Sequence, residues 1–408
     1  MEFEIESFLK FGYFLNNHIN KDEHQIYLKT DDAVKNLLNS PSELFNHGYE
    51  CLLKSIESDF KTNSKHVVPL SGGADSRLIL AALSEFTEHK NIETYTFGTP
   101  GTYDYDFANR VSKSFNIKHR NIDLSSYEYT QESLEENCLH TKGLTLLFHN
   151  PPVNFLKQNY PDFQFWSGFM GGEVAGSHIQ IDIDKVDEKL AERFIQSNKV
   201  SRSFFEINKN DVLNNLTLPE GDNRLTTYEA VDYLNRQLKF IKPHVCVDGF
   251  DFRTPFVKPI WSNFIYSLPI SYRLKQRFFY DFCYARFPDY FNMPLKNFHG
   301  SSLPLNQFTY YKNRTKNLIL STLLPRDLYT DKRVNYSDYG RRMLMDKNFR
   351  NLLLENLNSL KSRSIIEPTV IDAIIKQHLS KNKNFGIEIM LLVSLEVILT
   401  CRSKGMRN

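Results

Sequence analysis

The spacing of apolar residues divides the chain into a part where strands and helices alternate and a part that is mainly helical. Short apolar runs bounded by turn residues predict strands at 66–70, 93–97, 119–124 and 163–166. Apolar residues at helical spacing predict helices between them, at 77–83 and 107–115. Strands that alternate with helices form parallel sheets, so the pattern predicts an α/β fold whose sheet is covered on both faces.

The regions on either side of this alternating part have other patterns. Residues 1–30 alternate weakly and predict short strands. Ser40 and Pro41 predict the start of a helix, with the serine as a cap and the proline in the first turn. One apolar face of that helix would contain Leu44, Gly48, Cys51, Leu52 and Ile56. From about residue 185 the pattern is mainly helical, for example at 228–241, 276–287, 338–360 and 385–402.

Composition narrows the classes of partner. The 408 residues are 41% hydrophobic and 24% charged, as in a globular protein, and can bury a large core. A net charge of +2 argues against nucleic acid, because binding to a polyanion needs a concentrated basic face. The apolar stretch 387–399 is short and contains Glu388 and Glu396, so it predicts a buried helix and no membrane span.

The cysteines and the N-terminal residues indicate in which cellular compartment the protein is expected. The five cysteines are odd in number and have no paired spacing of the kind that holds zinc, which indicates small buried side chains in a reducing compartment. The acidic start Met1-Glu2 lacks the basic and apolar regions of a secretory signal. We therefore expect a cytoplasmic protein.

The segment Ser71-Gly72-Gly73-Ala74-Asp75-Ser76 lies between a predicted strand and a predicted helix. Its glycines would allow positive φ angles and a close approach to an anion, and the first amides of the helix would point at phosphate. Asp75 cannot attract phosphate by its own charge, so we interpret it as a Mg²⁺ ligand. The alternative is a tight turn that needs glycines for shape alone. Since no lysine follows the glycines, transfer of a γ-phosphate is not expected.

These residues resemble the phosphate loop of the ATP-pyrophosphatase (PP-loop) family. The rest of the chain resembles one branch of it, the synthetase domain of glutamine-dependent asparagine synthetases, which also contains β-lactam synthetases and lasso-peptide cyclases. Besides the loop, the resemblance covers most of the chain in patches that follow the family's order, namely 8–13, 96–98 with Asp104 and Ala108, 167–176, 251–256, and His378 with 391–396.

The resemblance implies a fold, a division of the chain and a nucleotide site. The fold is a parallel-sheet, adenine nucleotide alpha hydrolase-like domain with a mainly helical C-terminal extension. Residues 1–38 would be a remnant of the segment preceding the synthetase domain, and 39–408 that domain, with an α/β part at 39–182 and a helical part at 183–408. The implied ATP-binding residues are Leu70, Ser71, Gly72, Gly73, Asp75, Ser76, Phe97, Ser167 and Gly168.

The chain also departs from the family's pattern. A complete asparagine synthetase begins with a nucleophilic cysteine, and this chain begins Met1-Glu2, so we expect no intrinsic glutaminase activity. Nitrogen would come from ammonia, from a separate glutaminase subunit, or from an amine on the substrate. In the second loop Phe169 and Gly172 replace the usual Glu and Asp, while Glu173 is kept. Free aspartate is therefore not the expected substrate.

The family's catalytic lysine is also displaced. Counting back from Phe287 places Gln276 at that position, between Lys275 and Arg277. We predict Lys275, Arg277 and Glu173 as catalytic residues. The alternatives are a solvated helix start for the two cations and a loop or helix-cap carboxylate for Glu173. Asp251 and Arg253 are predicted to form an internal ion pair.

The reaction implied is amide-bond synthesis that forms AMP and pyrophosphate through an acyl-adenylate, by amidation or by amide ligation or cyclisation. The carboxylate would belong to a small molecule, a peptide or a sugar. Adenylation of a nucleobase or thioamide is an alternative with the same fold, although the chain lacks the cysteine pairs or basic domain typical of sulfur-transfer relatives. A degenerate homologue that acts as a binding or regulatory subunit is the alternative from another class.

Overall fold

The computed structural model describes residues 2–17, 29–150, 152–201, 205–219, 224–323 and 331–405. Its centre is one five-stranded sheet in the order β3-β2-β1-β4-β5, with every neighbouring pair parallel. The strands are β1 His66–Pro69, β2 Ile92–Gly98, β3 Lys118–Asp123, β4 Gln164–Trp166 and β5 Asp251–Arg253. The predicted α/β class with a parallel sheet is confirmed.

Helices form most of the remaining described structure. In chain order they are α1 Phe3–Phe11, α2 Asp32–Leu37, α3 Pro41–Glu57, α4 Ala74–Leu83, α5 Tyr103–Ser114, α6 Gln131–His140, α7 Val153–Asn159, α8 Gly171–Val174, α9 Glu188–Asn198, α10 Lys209–Asn215, α11 Thr227–Asp232, α12 Lys242–Val245, α13 Pro259–Ser267, α14 Ile270–Arg273, α15 Arg277–Arg286, α16 Pro288–Phe291, α17 Gln307–Leu323, α18 Tyr339–Met345, α19 Lys347–Arg363, α20 Pro368–Leu379 and α21 Gly386–Ser403. A π-helix, Tyr233–Ile241, joins α11 to α12. A short 3₁₀ turn, Lys296–Phe298, follows α16.

Side chains of the central strand alternate between two cores. Val68 packs into a large cluster with α3, α4 and the helices around residues 256–291. Val67 points to the other face, where it meets Tyr95, Tyr160 and Phe165. This alternation follows from the two-residue period of a strand, and it confirms that both faces of the sheet are covered.

The N-terminal segment is helical, and the prediction of short strands there is wrong for residues 3–11. Ile5, Phe8 and Leu9 follow one another at helical spacing, and all three are buried against the C-terminal part of the chain. Gly12 ends α1 with a φ of 81°, and its N–H donates to the Phe8 carbonyl. Residues 18–28 of the predicted strand region lie outside the described residues.

Two helix predictions need correction, one at its N-terminal cap and one in its interior. Pro41 occupies the first turn of α3 as expected, but the Ser40 side chain makes no capping hydrogen bond. The single helix predicted over 338–360 is two helices, α18 and α19. Asp346 adopts an extended conformation between them, and its carboxylate accepts a hydrogen bond from the Phe349 N–H, which caps α19.

The C-terminal helix α21 is buried on almost every side, as predicted from its composition. The charge of Glu396 is neutralised by Arg363, whose Nε lies 2.6 Å from the carboxylate. Glu388 accepts a hydrogen bond from Ser201 at 3.2 Å. Among the residues that the structure describes, no helix is both long and apolar enough to cross a membrane.

Candidate active site

The segment 71–76 lies at the carboxyl end of β1, where the strand order changes direction. From β1 the chain proceeds to β2 and β3 on one side, and it later returns to form β4 on the other side of β1. In open parallel sheets, the crevice outside the carboxyl ends of strands at such a point is the usual ligand site. The position of the loop is therefore that of a binding site.

The loop is held by its own hydroxyl groups. The Ser71 N–H donates to Ser76 Oγ at 3.0 Å, and the Gly73 N–H donates to Ser71 Oγ at 3.2 Å. The Gly72 N–H donates to Asp104 Oδ1 at 3.1 Å. Directly after these residues α4 begins, so its first amides face the crevice.

The glycines of this loop are needed for space, and the expectation of positive φ is wrong for both. Gly73 has a φ of −81°, and Gly72 is likewise outside the positive-φ region. A Cβ on Gly72 would lie 2.5 Å from the Tyr103 carbonyl oxygen, which is too close for any larger residue. Gly72 thus allows α5 to approach the loop and bring Asp104 to it.

The second glycine-rich segment, 167–176, packs directly on the first. A Cβ on Gly168 would lie 2.8 Å from the Ser76 nitrogen, and a Cβ on Gly171 would lie 2.8 Å from the side chain of Asp75. The Ser167 hydroxyl accepts a hydrogen bond from the Phe169 N–H at 3.2 Å. The two segments therefore form one wall, which explains why both need glycine.

Both segments line a cavity of about 550 Å³. Of the residues predicted to bind ATP, those on its surface are Leu70, Ser71, Asp75, Ser76, Phe97, Ser167 and Gly168. Gly72 and Gly73 lie behind that surface. Apolar side chains, among them Phe169, Met170, Ile241 and Val245, line it beside the polar loop. The last two are presented where the π-helix Tyr233–Ile241 leads into α12, and such helices occur often at functional sites.

Two carboxylates, Asp75 and Glu173, line the same wall of the cavity. Burial, with the negative charge of Glu173 adding to it, raises the pKa of Asp75 to about 8. The hydrogen bond from the backbone of Gly172 opposes this rise only in part. Two carboxylate groups in mutual repulsion are a donor set that suits a hard divalent cation, so Asp75 and its surroundings fit Mg²⁺.

The raised pKa predicts how stability depends on pH when magnesium is removed. The unfolded chain loses the Asp75 proton near pH 4, but the folded chain retains it up to about pH 8. The contribution of Asp75 to the free energy of unfolding therefore declines as the pH rises from about 4 to about 8.

We expect Asp75→Asn, measured by urea unfolding in a chelator, to match the wild type near pH 4. At pH 8 it should be more stable by several kcal/mol, since each pKa unit corresponds to about 1.4 kcal/mol. An equal difference at both pH values would contradict the shift.

Glu173 is also the end of a chain of three polar side chains, of which only Asp232 is fully buried, and the sequence did not reveal this chain. His178 Nδ1 lies 2.7 Å from Asp232 Oδ2, and its Nε2 lies 3.9 Å from Glu173 Oε1. Burial lowers the pKa of His178, but the hydrogen bond and charge of Asp232, with the charge of Glu173, outweigh it and the pKa is raised. His178 thus places partial positive charge behind Glu173. Asp232 lies 54 positions after His178 in the sequence, so spacing gave no signal for this pair.

The structure does not bring Lys275 and Arg277 to the cavity. Both side chains are exposed, while Gln276 between them is buried. Lys275 and Gln276 both adopt left-handed backbone conformations, with φ angles of 56° and 59°, so the chain turns sharply at this point. Gln276 accepts a hydrogen bond from the Tyr280 hydroxyl and lies beside Gly172. Neither cation lines the cavity.

Lys296 lines the cavity instead. Its ammonium group pairs with Asp104, and its backbone N–H donates to the Gly72 carbonyl at 2.9 Å. The segment that carries it is anchored by the buried Arg77, which donates to the carbonyls of Met293 at 3.2 Å and Pro294 at 2.7 Å. The sequence analysis missed Lys296, because only the fold brings it beside the loop. The one signal was Asp104, a carboxylate that needs a cationic partner.

A segment near the C-terminal helices closes the cavity at β2. The Asn335 amide donates to the Phe97 carbonyl at 2.6 Å, and the Thr99 N–H donates to the Asn335 carbonyl at 2.9 Å. The ring of Tyr336 stacks on His149 at 3.9 Å. The wall beside Phe97 is therefore built by residues more than 200 positions away in sequence.

Asp251 and Arg253 form the predicted ion pair, but both side chains are partly exposed, so the expectation that the pair is internal is wrong. The Arg253 guanidinium pairs with one oxygen of Asp251, and Lys61 Nζ lies 2.8 Å from the other. Both residues belong to β5, whose backbone carbonyl at Arg253 accepts from the Ser167 N–H at 2.9 Å. The pair thus lies beneath the second glycine-rich segment, and it does not line the cavity.

One comparison with known proteins bears on this site. Residues 49–149 match the family described as asparagine synthase. The matched segment contains the loop 71–76, β2, α5 and Asp104, so it includes one side of the cavity. The resemblance to asparagine synthetase-type synthetase domains is confirmed for this segment. No curated protein matches the chain significantly.

Proposed function

We propose, from the asparagine synthase domain identified at residues 49–149, that this chain uses ATP to form an amide bond, releasing AMP and pyrophosphate through an acyl-adenylate. The observation that carries the proposal is the joint placement of the loop 71–76, Asp75, Glu173 and Lys296 around one cavity. The amides at the start of α4 favour the anionic phosphates. The Lys296 ammonium group favours negative charge that develops on the leaving pyrophosphate.

The roles of the side chains follow from their positions. Ser71 and Ser76 fix the loop, and Phe97 offers an apolar surface to the adenine ring. Asp75 would hold magnesium, with Glu173 close by, and the bound ion would neutralise phosphate charge. Lys296 has an ion-pair partner in Asp104, which keeps the ammonium group in place. The fixed geometry brings the carboxylate and the α-phosphorus together, which supplies much of the acceleration.

The lining of the cavity supports an acceptor other than free aspartate. Phe169 and Met170 of the second glycine-rich segment line the cavity, and Ile241 adds another apolar side chain. A small amino acid with two carboxylates and an ammonium group would gain little from these apolar side chains, because contact with them does not repay the desolvation of its charges. A carboxylate attached to a larger apolar or peptide-like group suits it better.

ATP–pyrophosphate exchange with a panel of carboxylic acids tests the function. The panel should include free aspartate, hydrophobic amino acids, peptides and acidic sugars. We expect exchange with at least one acid other than aspartate, and AMP should accumulate when an amine or ammonia is added. If the chain binds ATP but exchanges nothing across the panel, the degenerate binding subunit is the better description.

The nitrogen source is the second part of the proposal, and the cysteines bear on it. Burial raises the pKa of Cys51 to about 12 and that of Cys246 to about 11, so without a bound metal neither is a thiolate nucleophile at neutral pH. Cys138 and Cys283 are buried, and Cys401 is only 2% exposed. We propose that the chain does not hydrolyse glutamine and that ammonia, a glutaminase subunit or a substrate amine supplies nitrogen.

We expect purified chain supplied with ATP, the acceptor acid and glutamine to form no amide. Addition of ammonium chloride should restore product if the reaction is an intermolecular amidation, as followed by mass spectrometry. The control is a reaction with a separate glutaminase added, which should behave like the ammonium reaction. Amide formed from glutamine by the purified chain alone would refute this part of the proposal.

A further inference from the structure

Outside the cavity, Asp31, His47 and Cys51 form a compact cluster of potential metal ligands. His47 and Cys51 lie one turn apart on the same face of α3, and Asp31 caps α2. His47 Nε2 is 2.7 Å from Asp31 Oδ2 and 3.8 Å from Cys51 Sγ. The three ligand atoms all lie within 4.8 Å of one another. These separations are comparable with those between ligand atoms that share one metal ion.

The geometry does not suit a catalytic triad. In a triad, the nucleophile and the carboxylate contact different nitrogens of the histidine, so that one proton can be passed between them. Here both Asp31 and Cys51 approach Nε2. A thiolate, an imidazole nitrogen and a carboxylate that converge from three directions form the mixed donor set that zinc accepts.

The neighbouring side chains hold these ligands in place. The Asp31 N–H donates to Ser267 Oγ at 2.9 Å, and its second carboxylate oxygen accepts from the Ala33 N–H at 3.2 Å. The ring of His47 packs edge-on against Phe264 at 5.5 Å. Cys51 is 5% exposed, whereas the side chains of Asp31 and His47 are partly open to solvent. A bound ion could therefore complete its coordination with water.

We propose that Asp31, His47 and Cys51 bind one zinc ion, which fastens the segment at residues 29–37 to α3. The Cys51 thiol loses its proton to solvent when the S–Zn bond forms, while His47 binds as neutral imidazole. The oxidation state of zinc does not change. The site is separate from Asp75, so it is independent of the proposed reaction.

Cobalt is the probe for the test, because Co²⁺ bound by a thiolate in a tetrahedral site has intense visible and near-ultraviolet absorption. The full chain is stripped with a chelator under a non-coordinating reductant and titrated with Co²⁺ and then with Zn²⁺. We expect one equivalent to give thiolate charge-transfer bands that zinc removes. The absence of these bands at one equivalent, on folded protein, would overturn the proposal.

Variants assign the ligands. Cys51→Ser and His47→Gln should weaken zinc binding by at least about 100-fold, since even partners outside the coordination shell are worth about 10–100-fold. The matched control Cys138→Ser, in the distant C-terminal core, should bind like the wild type, and so should Asp75→Asn. Zinc should raise the melting temperature of the wild type and of both controls. An unchanged cobalt spectrum in Cys51→Ser would refute the assignment, and circular dichroism shows whether each variant is folded.

Discussion

Asp75→Asn is expected to abolish ATP–pyrophosphate exchange, with a loss on the order of 10³-fold or more. The substitution keeps the size of the side chain and removes the charge that would hold a divalent cation beside the phosphates. It also relieves the repulsion between Asp75 and Glu173, so the fold should be retained and, without magnesium, strengthened. Loss of activity together with gained stability is the signature of a residue kept for function.

The control for this prediction is Asp281→Asn. Asp281 is an exposed carboxylate on α15 that lines a different surface pocket, so its loss should leave exchange unchanged. Both variants are compared with the wild type over a magnesium titration. If Asp75→Asn exchanges pyrophosphate at the wild-type rate, the Asp75 carboxylate is not needed for the reaction.

Lys296→Met is expected to lower kcat by about 10²–10³-fold with a smaller change in KM. The ammonium group acts most strongly on charge that develops as pyrophosphate leaves, so the transition state loses more than the ground state. Lys296→Arg should retain part of the activity, because the positive charge beside Asp104 is kept. Steady-state kinetics with the acceptor identified by exchange provides both parameters.

Lys275→Met and Arg277→Met are the matched controls, since each removes one positive charge from an exposed position. Both should remain within about twofold of the wild type, as is usual for surface substitutions. If either of them lowers kcat more than Lys296→Met does, that residue is the catalytic cation, as the sequence predicted, and Lys296 is not.

Structural features that depend only on neighbouring residues in the chain could be predicted from the sequence. The segment 71–76 was recognisable because a strand, two glycines and a helix start follow one another. The strands and helices around it alternate with clear periods. The cap of α19 at Asp346 also had a local signal, since a carboxylate three residues before Phe349 is a common helix start. Apolar residues continue at helical spacing on both sides of Asp346, which is why the sequence predicts one helix there.

Features that depend on contacts between residues distant in the chain could not be predicted from the spacing of residues in the sequence. Gly72 is required by the approach of Tyr103, and Gly171 by contact with Asp75. Sequence reasoning could assign Gly72 only backbone freedom and approach to an anion, and it assigned no separate role to Gly171. Gln276 turns inward because two consecutive residues adopt left-handed conformations that no local residue type demands. Lys296 lies at the site because the buried Arg77 binds the Pro294 carbonyl and so holds the segment that carries the lysine. Each of these is a tertiary effect.

The N-terminal segment shows a different cause of error. Ile5, Phe8 and Leu9 carry helical spacing, but the segment is short and other apolar residues at 3, 11, 13 and 14 blur its period. Packing against α21 decides the matter, because it buries one complete face of α1. In a segment of this length, tertiary burial outweighs local preference.

The most direct test of the central claim is calorimetric titration of the folded chain with α,β-methylene-ATP, which cannot be cleaved at the bond in question. The account predicts binding at one site that requires magnesium and that Asp75→Asn removes. Folded protein that takes up no nucleotide, or that binds it equally well without magnesium and without the Asp75 carboxylate, would contradict the account.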